Sequence, residues 1–161
     1  MYDYIHYDSP LGTLTIAEEN DALTALVITG QKYEEQHLAG EGRERETPVL
    51  RQAKHWLDLY FAGESPDPAE LSLSPKGTAF QQRVWRELLT IPCGRTESYG
   101  NLAKKLGSSA RAVGSAVGRN PISVIIPCHR VAGADGSLCG YAGGLENKEK
   151  LLRLEEIETY I

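Results

Sequence analysis

"SYGNLAKKLGSSARAVGSAVGRNP", residues 98–121, decides the fold. Ser98 can cap a helix that Gly107 stops, and Ser108 or Ser109 can cap a second that ends near Asn120-Pro121. Two short helices across a tight turn predict a helix-turn-helix. The second helix carries Ala110, Ala112, Gly114, Ser115, Ala116 and Gly118, so it is almost bare of bulk. Each interior glycine weakens a helix by about 1 kcal/mol. Close packing on a neighbouring helix accounts for that cost, and so does entry into a narrow groove with Arg111 projecting from the first turn. Both readings stand on spacing alone.

Upstream, "TAFQQRVWRELLTIP" (78–92) predicts a helix with a capping box of Thr78 and Gln81 and an apolar face of Phe80, Val84, Trp85, Leu88 and Leu89. Pro92 and Gly94 end it. "SPDPAELSLSPKG" (65–77) is rich in Pro and Ser and reads as a linker. Before it, "TPVLRQAKHWLDLYFAGE" predicts a helix capped by Thr47, with Pro48 in its first turn and Gly63 as its stop. The first 28 residues alternate as three short strands around the turns "PLG" and "NDA", an antiparallel meander. The fold class is therefore α/β of the α+β kind. Residues 1–74 form a small scaffold domain on an antiparallel sheet, and residues 75–161 form a mainly helical domain.

The net charge of −5 alone argues against a polyanion partner. Its distribution reverses that reading. Residues 1–70 hold 5 Lys and Arg against 14 Asp and Glu, whereas residues 95–131 hold six basic residues against Glu97 alone. Exposed charges are screened beyond about 10 Å, so a local basic face can attract a polyanion on an acidic protein, and a solvated helix surface accounts for the same charges. Neither a membrane span nor a basic-then-apolar leader is present, and the three cysteines, Cys93, Cys128 and Cys139, form no CxxC pair. The expectation is a cytoplasmic protein with free thiols, no disulfide framework and no metal site.

Downstream of the helix pair lies "NPISVIIPCHRV" (120–131). Its β-branched run reads as a buried strand and Pro127 as the approach to a turn. Cys128 beside His129 and Arg130 is a candidate nucleophile. A thiol titrating near 8.5 needs a base or a cation to react at neutral pH. On an extended strand neighbouring side chains point to opposite faces. His129 would then serve Cys128 only where the chain turns, or through water. The base needs an orienting carboxylate, and Glu146, Glu149, Glu155, Glu156 and Glu158 all remain open on spacing. Gly136, Gly140, Gly143 and Gly144 mark a loop, and a last helix runs from Leu145 or Glu146 to about Glu156.

"IPCHRV" after Asn120-Pro121 and before "GYAGG" (140–144) resembles the active-site signature of the O6-alkylguanine-DNA alkyltransferases, the methylated-DNA–protein-cysteine methyltransferases of bacterial type. The likeness extends through "FQQRVWRELLTIPCGRTESYGNLAKKLG" and "ARAVGSAVGRNP", and "DSPLGTLTIA" near the N-terminus is also similar. The resemblance implies a ribonuclease H-like first domain and a winged helix-turn-helix second domain. It implies irreversible, single-turnover transfer of an alkyl group from O6 of guanine in double-stranded DNA to Cys128, with O4-alkylthymine left open as a second substrate. No cofactor is implied.

By the same resemblance His129 is the base acting through water, Glu155 orients it, Asn120 is a hinge, and Tyr99 turns the 3′ phosphate and protonates N3. Val131 and Cys128 offer carbonyls to the guanine amino group, and Tyr141, Ala142 and Gly143 line the base pocket. Gly100, Ala110, Arg111, Gly114 and Arg119 join Tyr99 at the minor groove, with Arg111 filling the vacated stack. The protein is expected to act as a monomer, with cooperative loading on DNA left open. Two rivals are a non-catalytic lesion-binding module, which Cys128 speaks against, and a Cys-His hydrolase, which would have no use for the Arg111 helix. The chain departs from relatives that bind zinc, since no cysteine precedes Cys93, and at Cys139, read as small packing.

Overall fold

The computed structural model describes residues 1–135 and 140–156, and these fall into two compact units. The first comprises Met1–Lys76 with Pro121–Ser123, and the second comprises Gly77–Asn120 with the chain from Val124 onward.

In the first unit β1 (Tyr2–Ser9), β2 (Gly12–Glu19) and β3 (Ala22–Ile28) form the expected meander. Asn20 and Asp21 both have positive φ, at 52° and 63°, which suits a two-residue hairpin that follows the strands' twist. The end of this sheet was not foreseen. A one-turn helix α1 (Glu34–His37) leads to a short strand β4 (Gly42–Glu44), which pairs parallel to β1 and gives the sheet order β3-β2-β1-β4. Three residues of mixed charge carry no period that a sequence reading can detect.

Helix α2 (Pro48–Phe61) starts where Thr47 accepts the Leu50 amide and buries Leu50, Ala53, Trp56, Leu57 and Tyr60 against the sheet. Leu14, Ile16, Leu26 and Val27 complete that core with no exposure. The Pro- and Ser-rich stretch is not a free linker. Leu71 is buried, Leu73 bridges Leu23 in parallel, and the Trp56 indole donates to the Asp67 carbonyl at 3.1 Å. Leu71 and Leu73 are the two apolar residues that composition had masked. Residues 121–123 close on the other side of β3, where the Leu26 amide donates to the Pro121 carbonyl and Ser123 donates back to Leu26.

In the second unit α3 (Ala79–Leu88) begins with the Thr78–Gln81 capping box and buries Val84, Trp85 and Leu88. Gly77 lies against the Trp85 ring so closely that a Cβ there would stand 2.4 Å from it. Helix α4 (Tyr99–Leu106) is capped by Ser98 and stopped by Gly107 in the left-handed conformation, at φ 63°. Helix α5 (Ala110–Gly118) is capped by Ser109. Both helices pack on α3, and the Trp85 indole donates to the Ala116 carbonyl at 2.9 Å.

The strand β5 (Glu97–Ser98) pairs parallel with β6 (Val131–Ala132), which joins the start of the helix pair to the segment after Cys128. Helix α6 (Leu145–Leu154) closes the unit and buries Lys148, Leu151 and Leu152. No helix of the described residues is long and apolar enough to cross a membrane.

Candidate active site

The stretch 120–131 is not a strand. Apart from the Ile122 bridge it is a buried turn, followed by a 3-10 turn over Cys128–Arg130. Every residue from Asn120 to Ala132 is buried. Val124 is held at φ 71°, where a β-branched residue is strained by about 1–2 kcal/mol, with 1% exposure. That reversal breaks the extended backbone of the buried strand that the β-branched run predicts. The 3-10 turn also removes the objection that Cys128 and His129 must face opposite ways, because the backbone there is not extended.

Asn120, two residues past α5, reaches forward into this turn. Its side-chain amide donates to the Ile126 carbonyl at 2.8 Å and also bonds the Cys128 thiol. Cys128 is 5% exposed. Burial pushes its thiol above the ordinary range, opposed by the bond from Asn120, the Lys148 charge, its own backbone amide and the bond from Tyr141. At rest Cys128 is thus a protonated thiol, and its reactivity requires a base.

His129 supplies a base of defined tautomer. Its Nε2 lies 2.6 Å from Glu155 Oε2, and neither side chain is more than 1% exposed. Burial alone would raise the Glu155 carboxyl, but His129 and then Arg130 overcome it and hold the group at about 2. An ionised carboxylate only accepts, so the Nε2 proton belongs to His129. Burial pushes the imidazole below its ordinary range, with Glu155 opposing and Arg130 and Lys148 reinforcing. The resting pair is a carboxylate and a neutral imidazole. Its other nitrogen, Nδ1, is buried without a hydrogen-bond partner among the described residues and carries the lone pair that can accept a proton.

Sequence models of two domains match the chain: the ribonuclease-like domain of 6-O-methylguanine DNA methyltransferase over residues 2–75, and its DNA binding domain over residues 79–157. The chain belongs to the 6-O-methylguanine DNA methyltransferase family. The methylated-DNA–protein-cysteine methyltransferase of Mycobacterium leprae is 49% identical over 151 residues, covering 92% of this chain and 89% of that one. The crystal structure of Mycobacterium tuberculosis O6-methylguanine methyltransferase superposes with a TM-score of 0.83 at 46% identity, over 97% of this chain and 93% of that one. The same organism's OGT in complex with DNA gives 0.83 at 44%, over 96% and 92%.

Within this member of the family the remaining candidates fall into two groups. Val131 is buried on β6, and its carbonyl accepts Lys148 Nζ at 2.7 Å. Tyr141, Ala142 and Gly143 are half-buried in the turn before α6, where the Gly144 amide donates to the Tyr141 carbonyl at 2.9 Å. The other group lies on the helix pair. Tyr99 is half-buried at the start of α4, and a Cβ on Gly114 would stand 3.7 Å from its ring. Gly114 therefore faces the Tyr99 ring with room for a methyl group, so this contact does not by itself require glycine. Gly100, Ala110, Arg111 and Arg119 are exposed.

Three features escaped the sequence reading. Arg130 is not part of a basic face: it is buried, donating from Nε to Glu155 Oε1 at 2.7 Å and from a terminal nitrogen to the Ile91 carbonyl at 2.7 Å. Lys148 has no exposed surface, although lysine on a helix with four other charged residues reads as solvated. Asn147 donates to the Gly143 carbonyl at 3.0 Å and so braces the turn of the glycine loop. Only Arg130 carried a signal, its adjacency to the Cys-His pair. Cys139 lies outside the described residues.

Proposed function

We propose that this protein repairs DNA by taking the alkyl group of O6-alkylguanine onto Cys128 in a single turnover. The observation that carries this reading is the buried series of thiol, neutral imidazole and carboxylate in a chain of this family. A buried thiol that is protonated at rest, beside a base whose tautomer is fixed, is poised for proton removal only when a substrate is in place. The thiol proton passes through one water to His129 Nδ1. Cys128 Sγ then attacks the alkyl carbon, the bond from that carbon to O6 breaks, and its electrons pass to the guanine ring. Tyr99 protonates N3 as the guanine leaves. The S–C bond formed is a thioether, which water does not reverse at neutral pH, so each molecule acts once.

A base stacked in a duplex cannot present O6 to a buried thiol, so the nucleotide must be extruded at a cost of a few kcal/mol. In this reading α5 enters the minor groove and Arg111 fills the vacated stack. Gly100, Ala110, Gly114 and Arg119 line the approach. The Cys128 and Val131 carbonyls read the guanine amino group, and Tyr141, Ala142 and Gly143 close the pocket. Asn120 ties α5 to the reactive turn. Residues 1–74 serve as scaffold and residues 75–161 bind DNA and carry out the transfer. The protein acts as a monomer in the cytoplasm.

The test is intact mass after mixing with a duplex carrying O6-methylguanine. A gain of one methyl that maps to Cys128 and is lost in Cys128→Ser supports transfer. Tight binding with no change in mass would reduce the protein to a lesion-binding module.

A further inference from the structure

Glu155 shares its two oxygens between two cationic or potentially cationic neighbours. Oε2 takes the His129 Nε2 proton at 2.6 Å, and Oε1 takes Arg130 Nε at 2.7 Å. The guanidinium is anchored at its far end on the Ile91 carbonyl, just past α3. The carboxylate and imidazole side chains are 1% and 0% exposed, and that of Arg130 is 9% exposed. A lone carboxylate against a dry imidazole favours the imidazolium. A histidine that is already cationic cannot accept the thiol proton. A second cation on the same carboxylate offsets that bias while leaving the Nε2 hydrogen bond in place.

We infer that Arg130 is the positioning residue that keeps His129 a neutral base, by sharing the Glu155 charge and fixing the carboxylate from its far side. This rests on reading Cys128 as the alkyl acceptor. Among the described residues the charged groups that act on His129 are Glu155 after α6, Lys148 within α6 and Arg130 on its own turn, and the Cys128 thiol is its chain neighbour. Of the two cations, Lys148 has its 2.7 Å bond on the Val131 carbonyl, whereas Arg130 bonds the carboxylate itself. Arg130 bonds Glu155 and the Ile91 carbonyl, so beside the direct pull of its charge on His129 it acts by holding and sharing that carboxylate. From the segment just past α3 the turn receives the Ile91 carbonyl, which holds Arg130.

The experiment compares wild type, Arg130→Gln and Arg130→Lys as full-length proteins. The His129 ring is titrated by NMR, with its resonance identified by loss in His129→Gln. Benzyl transfer from free O6-benzylguanine is followed by intact mass across pH. In wild type the imidazole titrates below the ordinary 6.5; a midpoint at or above that value overturns the inference without any variant. In Arg130→Gln the midpoint rises by about one unit or more, and the acid limb of the transfer rate moves up with it while the alkaline plateau is kept. Arg130→Lys retains the charge and stays near wild type. An unmoved midpoint in folded Arg130→Gln, or a rate lowered equally at every pH, overturns the inference. If wild type takes no methyl group from the O6-methylguanine duplex either, the proposed function fails, and the NMR titration still decides the role of Arg130.

Discussion

In the proposed mechanism the residues that decide reactivity are ones for which burial and charge oppose each other. Cys128, His129, Arg130, Lys148 and Glu155 are all buried. Charged groups in such a place persist only when each is paired, because an isolated buried charge costs several kcal/mol. His129→Gln and Glu155→Gln are expected to slow transfer to free O6-benzylguanine by about 10²-fold, the usual contribution of a positioned base; near-wild-type rates in either would remove the base from the mechanism. Lys148→Met deletes the cation that opposes the rise of the Cys128 thiol and leaves the Val131 carbonyl without this donor. Two effects follow: alkylation by iodoacetamide shifts to higher pH, and stability falls by about 1–3 kcal/mol on denaturant titration. At this scale the Cys-His adjacency was legible in the sequence, and the choice of Glu155 came from family likeness. Lys148 was not legible, since no pattern in a charged helix tells which lysine will be enclosed.

In the proposed function the element that most constrains activity is α5, and its composition carries a trade-off. An alanine at Gly114 would put its Cβ at ordinary van der Waals distance from the Tyr99 ring. It would also remove the backbone freedom that glycine brings to the unfolded helix. Gly114→Ala is thus expected to stabilise the protein by up to about 1 kcal/mol, read as a higher melting temperature. If α5 must lie close to DNA, the same change slows repair in duplex and spares transfer from the free base. Equal rates on both would favour the packing reading, in which the bare face only accommodates Tyr99. Arg111→Ala should show the same selectivity more strongly, and an equal loss on both substrates would count against a wedge in the stack. The helix boundaries were legible because Ser98, Gly107 and Ser109 are local signals that act within one turn. The turn at 121–127 differs from the strand that its β-branched run predicts, because the left-handed backbone at Val124 runs against that residue's own preference.

The whole molecule responds to acid through the same cluster. In the folded state the His129 imidazole sits below its ordinary 6.5 and Glu155 sits at about 2 against 4.5. For both groups the unfolded chain binds more protons than the folded one, so stability rises with pH across these ranges. As pH falls, stability should decline first from about 6.5, where unfolded histidine takes up a proton that His129 refuses. It should decline again between 4.5 and about 2, where Glu155 alone contributes on the order of 3 kcal/mol. Melting curves from pH 7 to pH 5 check the first phase, which should shrink in His129→Gln; a loss of equal size in that variant would place it elsewhere. The sequence by itself determined the meander, the capped helices and the motif around Cys128, because periods of 2 and 3.6 residues and capping side chains act between near neighbours. Tertiary structure alone decided the placement of β4, the docking of 121–123 on β3, and the enclosure of Arg130, Lys148 and Glu155 around His129. Those contacts join residues 17 to nearly 100 positions apart, and their energies come from desolvation and pairing that no local pattern records.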